Sequence, residues 1–503
     1  MSIEQPQHQD LSCPTHSFTT PAKHWIVALV LAAALALLTS CGSGSGSSPG
    51  NGTPLGAVKI TTSTTFSPAF DPSITDYVCT APSGSVLVTV NATANTQVAV
   101  DGHPTGTSEF ATQVNITPGQ SFPIVVNSGG TSKTYYVRCL PTDFPTWVTE
   151  RPGTPQAEYY AFTPDRAISS LDTRRYVIIA DSYGVPVWWY HTSDEPRNAT
   201  VLANGDIAWT LPAGVEERKA DGTLTRAFTA DSSNGGVLDL HELFQLPNGD
   251  FVVIANVFRG PVDVTAIGGG PAATVFDEQI EEISPSGTVV WRWSSLDHIP
   301  VTEMSPRWEQ QYITSSAQAD PYHMNSVEPD GDGFIISFRH LDAIYRIDKA
   351  TGSIVWKLGG THRAESLTFS GDTYGNFGGQ HDARVLSDGT LTLHDNGTGL
   401  GRAPRAVRYR LDTAAKTATL VEHVGDPDIS SSVCCGSARK LSGGDWVMSW
   451  GQSTDVTELK PNGARVFRMR SNEPFFSYRA FPVPVGMLNR AALRNGMDAQ
   501  FPR

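Results

Sequence analysis

Three segments of the chain open on a histidine and continue in the same way. They read His241-Glu-Leu-Phe-Gln-Leu-Pro-Asn-Gly-Asp, His323-Met-Asn-Ser-Val-Glu-Pro-Asp-Gly-Asp and His381-Asp-Ala-Arg-Val-Leu-Ser-Asp-Gly-Thr. A turn glycine follows each histidine by eight to ten residues, and an apolar strand comes next. Units that repeat place equivalent residues at equivalent points of an architecture. Arranged about an axis, the three imidazoles converge. A neutral imidazole is a nucleophile and a proton acceptor near pH 7. Asn325 lies two residues after His323 and so on the same strand face. Arg339 and His340 come on the next strand, and His394, Asp395, Asn396 and Arg402 in the following unit. A guanidinium fork suits a tetrahedral oxyanion, so the set describes a pocket for sulfate or phosphate. Two other readings stay open. The histidines could bind Zn²⁺ or Cu²⁺, against which Arg339 adds positive charge, or each could only hydrogen-bond between repeat units.

The elements that position these residues are strands. From about residue 155 onward, six copies of one pattern follow one another: an apolar strand, a turn of the Asn-Gly or Asp-Gly kind, and further strands ending in a Trp-rich run. The spacing predicts an all-β fold, a six-bladed β-propeller over 150–503. The first copy, RYVIIADSYGVPVWWYH, is incomplete, and the C-terminal run FSYRAFPVPVG is expected to close the ring with it. Two inserts precede the His323 and His381 units and should crowd one mouth of the channel. They carry Trp308, Tyr312, Phe369, Tyr374 and Phe377, which either cover a flat aromatic ligand or pack on one another. Helical periodicity is nearly absent.

Short alternating strands between 57 and 142 predict a small β-sandwich ahead of the propeller. Cys79 and Cys139 end two of these strands and are expected to be bonded; the adjacent Cys434 and Cys435 could form a vicinal disulfide, stay as thiols or serve another structural role. Trp25 to Leu38 is an unbroken apolar run of 14 residues, the length of a signal-peptide core rather than a bilayer span. It ends in Leu-Thr-Ser-Cys41, which resembles a lipobox. We therefore expect a signal peptide over 1–40, lipidation of Cys41 with a flexible tether over 41–56, and an exported, membrane-anchored lipoprotein facing the periplasm or cell surface. The 503-residue chain has a net charge of −14 and no cluster of basic residues, which argues against nucleic acid as a partner.

The motifs HMNSV, GDGFIISFRHLDAIYRIDKATGSIVWKLGG, GGQHDARV, GTLTLHDNG and GRAPRAV, in this order, resemble the bacterial arylsulfotransferase family. The segments around 57–142 are similar to cadherin-like sandwich modules. The first resemblance covers about 150–480 and implies a six-bladed propeller that moves a sulfuryl group from an aryl sulfate to a phenol without a nucleotide donor, metal or other cofactor. It implies that His381 is the nucleophile and forms a transient sulfohistidine. It assigns catalysis to His241, His323 and Arg339 as well, and a substrate contact to Asn325; His340 and Asn396, read from the repeat units themselves, are expected to contact substrate too. His340 directly after Arg339, the GRAPRAV variant and the lipobox depart from the family's common pattern. The rival readings are a non-catalytic surface lipoprotein that binds a ligand or partner, and a quinoprotein. The latter rests on one tryptophan-docking turn, Asp348 to Trp356, where such enzymes repeat it in nearly every blade.

Overall fold

A computed structural model describes residues 58–503 except 82, 94, 106–108, 167–173, 314–316, 452 and 473–474. The expected signal peptide, Cys41 and tether lie outside the described residues. The described residues are overwhelmingly β, as the sequence implies.

The N-terminal part is a sandwich of a three-stranded and a six-stranded sheet. Its strands alternate inward and outward. In Ser85–Ala92, for example, Val86, Val88 and Val90 are fully buried while Leu87 faces out. Asp76–Thr80 and Thr131–Leu140 pair in parallel with Cys79 opposite Cys139, and the two cysteines are joined by a disulfide. A closed covalent loop restricts the unfolded chain more than the folded one.

Most remaining strands form antiparallel four-stranded meanders whose innermost members are β1 (Arg197–Val201), β2 (Val237–Gln245), β3 (Met324–Asp330), β4 (His381–Val385), β5 (Ser437–Lys440) and β6 (Phe475–Val483), and Ser366–Ser370 joins the β3 and β4 meanders into one nine-stranded sheet by parallel pairing on both sides. These six touch in sequence, and β6 returns to β1, so the meanders stand around a closed channel. The turns after β2 and β4 place Gly249 and Gly389 at φ +88° and +75°. A side chain is strained there, which is why Asn-Gly and Asp-Gly mark those turns. The C-terminal strand β6 does close the first meander, but as its inner strand. It pairs with Tyr159–Arg166, which is followed by Tyr176–Asp181 and Pro186–His191. The strand Tyr159–Arg166 escapes a repeat search because it follows a Pro-rich run and lacks the turn signal. That run itself contributes Trp147–Glu150 as an added edge strand on Arg465–Ser471.

The longest helix among the described residues, Arg490–Gln500, lies near the C-terminus. Asn489 caps it by accepting hydrogen bonds from the Ala491 and Ala492 amides. A Gly and an Asn inside it dilute its periodicity, which hides it from sequence reading. It staples the two parts together. Arg490 pairs at 2.8 Å with both Asp76 of the sandwich and Asp181 of the propeller, Arg494 pairs with Asp76, and Asp498 pairs with Arg138.

The channel is filled midway by a buried ionic hub. Glu242 binds Arg384 at 2.7 Å and Arg479 at 3.0 Å. Asp382 binds Arg384 at 2.9 Å and Arg439 at 2.7 Å. Glu242 also accepts the Val327 amide, and Arg479 donates to Asn198. All six inner strands thus contribute a group. Burial opposes ionisation of Asp382, but Arg439, Arg384 and Arg479 hold its carboxyl down at about 2. Removing one member strands the others in a dry interior, where breaking a buried pair costs about 3–5 kcal/mol. We predict that Glu242→Ala lowers the denaturant midpoint by that order, whereas Glu109→Ala on the sandwich surface leaves it unchanged. Equal midpoints for the two variants would contradict the hub's role.

Candidate active site

Immediately beside the hub, four successive inner strands are irregular at one level. Register shifts occur between Arg197 and Thr200 in β1, Asp239 and Leu243 in β2, Met324 and Ser326 in β3, and His381 and Arg384 in β4. A bulge inserts a residue and re-aims the side chains around it. His323 and Asp382 sit at φ +52° and +58°, in the left-handed region that β-strands avoid. Such strain persists only where the surroundings impose it. The expected histidines therefore lie at the bulges, where the chain turns them out of the strand's regular alternation.

His381 is fully enclosed by hydrogen bonds. Its Nδ1 lies 2.9 Å from both the Gly379 carbonyl and Asn396 Oδ1. A carbonyl can only accept, so Nδ1 carries the hydrogen and Nε2 keeps its lone pair. The Cys435 amide donates to that Nε2 at 3.1 Å. Asn396 is oriented in turn by donating to Ser432 Oγ at 2.7 Å and to the Cys435 carbonyl at 2.9 Å. Burial, and then the charge of Arg339, hold the His381 imidazole well below its ordinary value, so the ring is neutral.

His241 and His323 face each other with ring centroids 4.9 Å apart. Each leans on a carboxylate through Nδ1. His241 is 2.5 Å from Asp239, and His323 is 3.3 Å from Asp320. Asn256 donates to the other oxygen of Asp239 at 2.8 Å. Burial would raise the Asp239 carboxyl, yet His241 beside it holds it below the usual range. Burial pushes His323 down to about 3 against the pull of Asp320.

Arg339 is buried on the adjoining wall. Its guanidinium lies over Trp308, 4.4 Å from the ring, and donates to Tyr312 Oη at 2.6 Å and to the Val433 carbonyl at 3.2 Å. It also reaches His340 Nε2 at 3.0 Å, while His340 Nδ1 meets the Asp320 carbonyl at 2.8 Å. His340 is thus occupied at both nitrogens and steadies Arg339. Asn325 donates to the Gln380 carbonyl at 2.8 Å, and its Oδ1 is buried without a hydrogen-bond partner among the described residues. The aromatic inserts divide. Trp308 and Tyr312 wall the site, but Phe369 and Phe377 pack edge-to-face in the core of the β4 meander, and Tyr374 stands outside against Arg402 and Arg405.

Three residues at the site carry no sequence signal. Tyr478 is buried with its ring edge on His241, and its hydroxyl has no hydrogen-bond partner among the described residues. Asp320 precedes His323 by three residues and looks like an ordinary turn acid. Cys435 acts through its backbone. Asp239, two before His241, was legible by strand alternation alone.

A family model, Arylsulfotransferase (ASST), matches residues 217–472, which is half of the chain and spans all the site residues above except Tyr478. The chain belongs to the arylsulfotransferase family. Membership supports aryl sulfotransferase activity in general terms. A second model, the cadherin-like beta sandwich domain, matches residues 57–139. No curated protein matches the chain. Among solved structures, a protein of unknown function from Bacteroides caccae is 12% identical with a TM-score of 0.42, covering 65% of this chain and 100% of its own. The β-propeller domain of Myceliophteria thermophila Cps50 (Swd1) is 14% identical with a TM-score of 0.34, covering 65% and 89%.

In this arylsulfotransferase, Asp320, His323 and His340 bring their ligand atoms within 4.8 Å of one another. A cation there would face the Arg339 guanidinium across His340 Nε2, and that nitrogen's lone pair already accepts from Arg339. The donor set fits an anion-handling wall better than a metal centre.

The buried imidazoles make stability depend on pH. His323 and His394 are pushed down to about 3 and about 4, chiefly by burial. In the unfolded chain they take up a proton near 6.5, so the native state binds fewer protons below that pH. Their contribution is complete above about 6.5 and is lost as pH falls toward their native values, by about 1.4 kcal/mol per pH unit and group. Chaotrope unfolding should give a smaller free energy at pH 5 than at pH 7, and His394→Asn should flatten the difference by about one proton. Stability that is level or rises on going to pH 5 would contradict the neutral assignment.

Proposed function

We propose that this protein transfers a sulfuryl group from an aryl sulfate to a phenolic acceptor in two steps, through a sulfohistidine on His381. The observation that carries the reading is the tautomer of His381: a neutral ring whose Nδ1–H is tied to Gly379 and Asn396, with the lone pair at Nε2. Nε2 attacks the sulfur, the sulfur–aryl oxygen bond breaks, and Arg339 balances the sulfuryl charge. The Gly379 carbonyl and Asn396 Oδ1 meet the positive charge that develops on the ring. His241, gripped by the ionised Asp239, supplies the proton to the leaving phenolate. In the second step a phenol gives that proton back to His241 while its oxygen takes the sulfuryl group and the sulfur–nitrogen bond breaks. His323 and the Tyr478 hydroxyl complete the polar wall. Asn396 and His340 act as positioning residues, through His381 and Arg339.

We propose further that the protein is exported and anchored through lipidated Cys41, a reading supported by the apolar run Trp25–Leu38 and the Leu-Thr-Ser-Cys41 that ends it.

Purified protein given 4-nitrophenyl sulfate and phenol is expected to release 4-nitrophenolate and form phenyl sulfate. His381→Asn should lose this activity and the sulfonated-peptide mass while keeping its unfolding profile. Turnover retained in that variant would overturn the nucleophile assignment. Absence of transfer across a panel of aryl sulfates, with binding intact, would favour a ligand-binding lipoprotein.

Asp239 gives a second test. Its removal should matter in proportion to how much the leaving group needs a proton. Asp239→Asn is expected to slow donors with poor leaving groups, such as phenyl sulfate, by about 10²-fold or more, and 4-nitrophenyl sulfate far less. Equal slowing of both donors would mean that Asp239 only supports the fold.

A further inference from the structure

Cys434 and Cys435 lie in the segment that covers the nucleophile. Their sulfurs are 2.7 Å apart and not joined, against a bond length of about 2.05 Å. Both residues are partly exposed. The main chain of Cys435 is wired to His381 on two sides. Its amide hydrogen sits on Nε2, and its carbonyl receives Asn396, whose oxygen meets Nδ1. Its φ is +65°, so a strained residue holds this cap in place. The reactive lone pair is therefore closed off until the Cys434–Cys435 peptide swings away.

We propose that Cys434–Cys435 is a thiol–disulfide exchange site whose oxidation locks the cap on His381. The co-reactant is a small disulfide. One thiolate attacks it to give a mixed disulfide and one released thiol. The second thiolate then displaces the other half, closing the Cys434–Cys435 bond. Two electrons and two protons pass in all, and the oxidant leaves as two thiols. Ring closure joins both side chains and the peptide between them into one eight-membered ring. That peptide can no longer rotate freely, so the Cys435 amide stays on Nε2. In the dithiol state the segment is free to turn and the lone pair opens to the donor. The effect on sulfuryl transfer rests on the function proposed above; the effect on His381 accessibility does not.

The test uses the full chain, treated either with glutathione disulfide or with a mild thiol reductant. The buried Cys79–Cys139 disulfide serves as an internal constant. Peptide mapping should show that oxidation removes two hydrogens from the 434–435 peptide. Two rates are then read. Carbethoxylation of His381 by diethylpyrocarbonate reports the open lone pair without any assumption about the reaction. Release of 4-nitrophenolate reports transfer. Both should be about tenfold slower in the oxidised form, the factor set by a hydrogen bond that must be kept rather than released, and both should recover on reduction. Cys434→Ser, which leaves the Cys435 main chain in place, should match the reduced protein and lose no hydrogens under oxidant. A 434–435 disulfide that changes neither rate, or its failure to form, overturns the proposal. Slowed carbethoxylation in a protein that transfers no sulfate in either state would keep the gate and reject the sulfotransferase reading.

Discussion

The ionic hub is the constraint on which the rest of this structure depends. Three guanidiniums, from Arg384, Arg439 and Arg479, meet the carboxylates of Glu242, Asp382 and Glu328 inside the channel. Buried charges cost several kcal/mol each to remove from water, and only good pairing offsets this. The arrangement that pairs them all requires each inner strand to stand at one height and rotation relative to its neighbours. Apolar packing between meanders tolerates small slips; a shared set of directional charged hydrogen bonds, with Arg439 bidentate on Asp382, does not. The hub therefore acts less as a source of stability than as a clamp on register.

That clamp is tied residue by residue to the candidate site. Glu242 follows His241, Asp382 follows His381 and Arg479 follows Tyr478. In each pair one side chain enters the hub and its neighbour turns to the site, as consecutive strand residues do. Arg479 also donates to the main-chain carbonyl of Asn325. The bulges supply the remaining adjustment, and the positive φ of Asp382 shows where the chain yields so that both His381 and its neighbour can reach their partners. The chemistry then divides between imidazoles of different settings. His381 is dry, beside Arg339 and bonded through Nδ1 to groups that accept a hydrogen. His241 is held 2.5 Å from a carboxylate. On the proposed mechanism the first is the nucleophile and the second the proton carrier.

Much of this is legible in the amino-acid sequence. The all-β class follows from strand length and turn residues, and the restarted His phrases bring His241, His323 and His381 to one place, because a repeat converts sequence register into spatial register. What stays hidden has physical reasons. The strand Tyr159–Arg166 belongs to a meander completed from the other end of the chain, so no local pattern announces it. The C-terminal helix is short and interrupted by Gly496. The Cys435 amide has no side-chain signature at all. The orientation of Asn325 depends on the Gln380 carbonyl, a main-chain group from a neighbouring strand. Sequence motifs name side chains, whereas His381 is held at both ring nitrogens by backbone, through the Gly379 carbonyl and the Cys435 amide.

That last point bears on how the pocket can vary within its fold. Substitution can remove an imidazole or a guanidinium, but none removes the Gly379 carbonyl, and only proline removes the Cys435 N–H. The tautomer of His381 is set by the first, and access to its lone pair by the second. The tautomer is consequently as rigid as the β4 bulge and the hub below it. The segment before β5 covers that lone pair; it is partly exposed and is held by Asn396 on Ser432 and Cys435, by Thr398 on Ser432 and Val433, and by Arg339 on Val433. On the proposed mechanism, the β4 bulge and the hub keep His381 still while the segment before β5 must shift, so two demands that would conflict in one element fall on two.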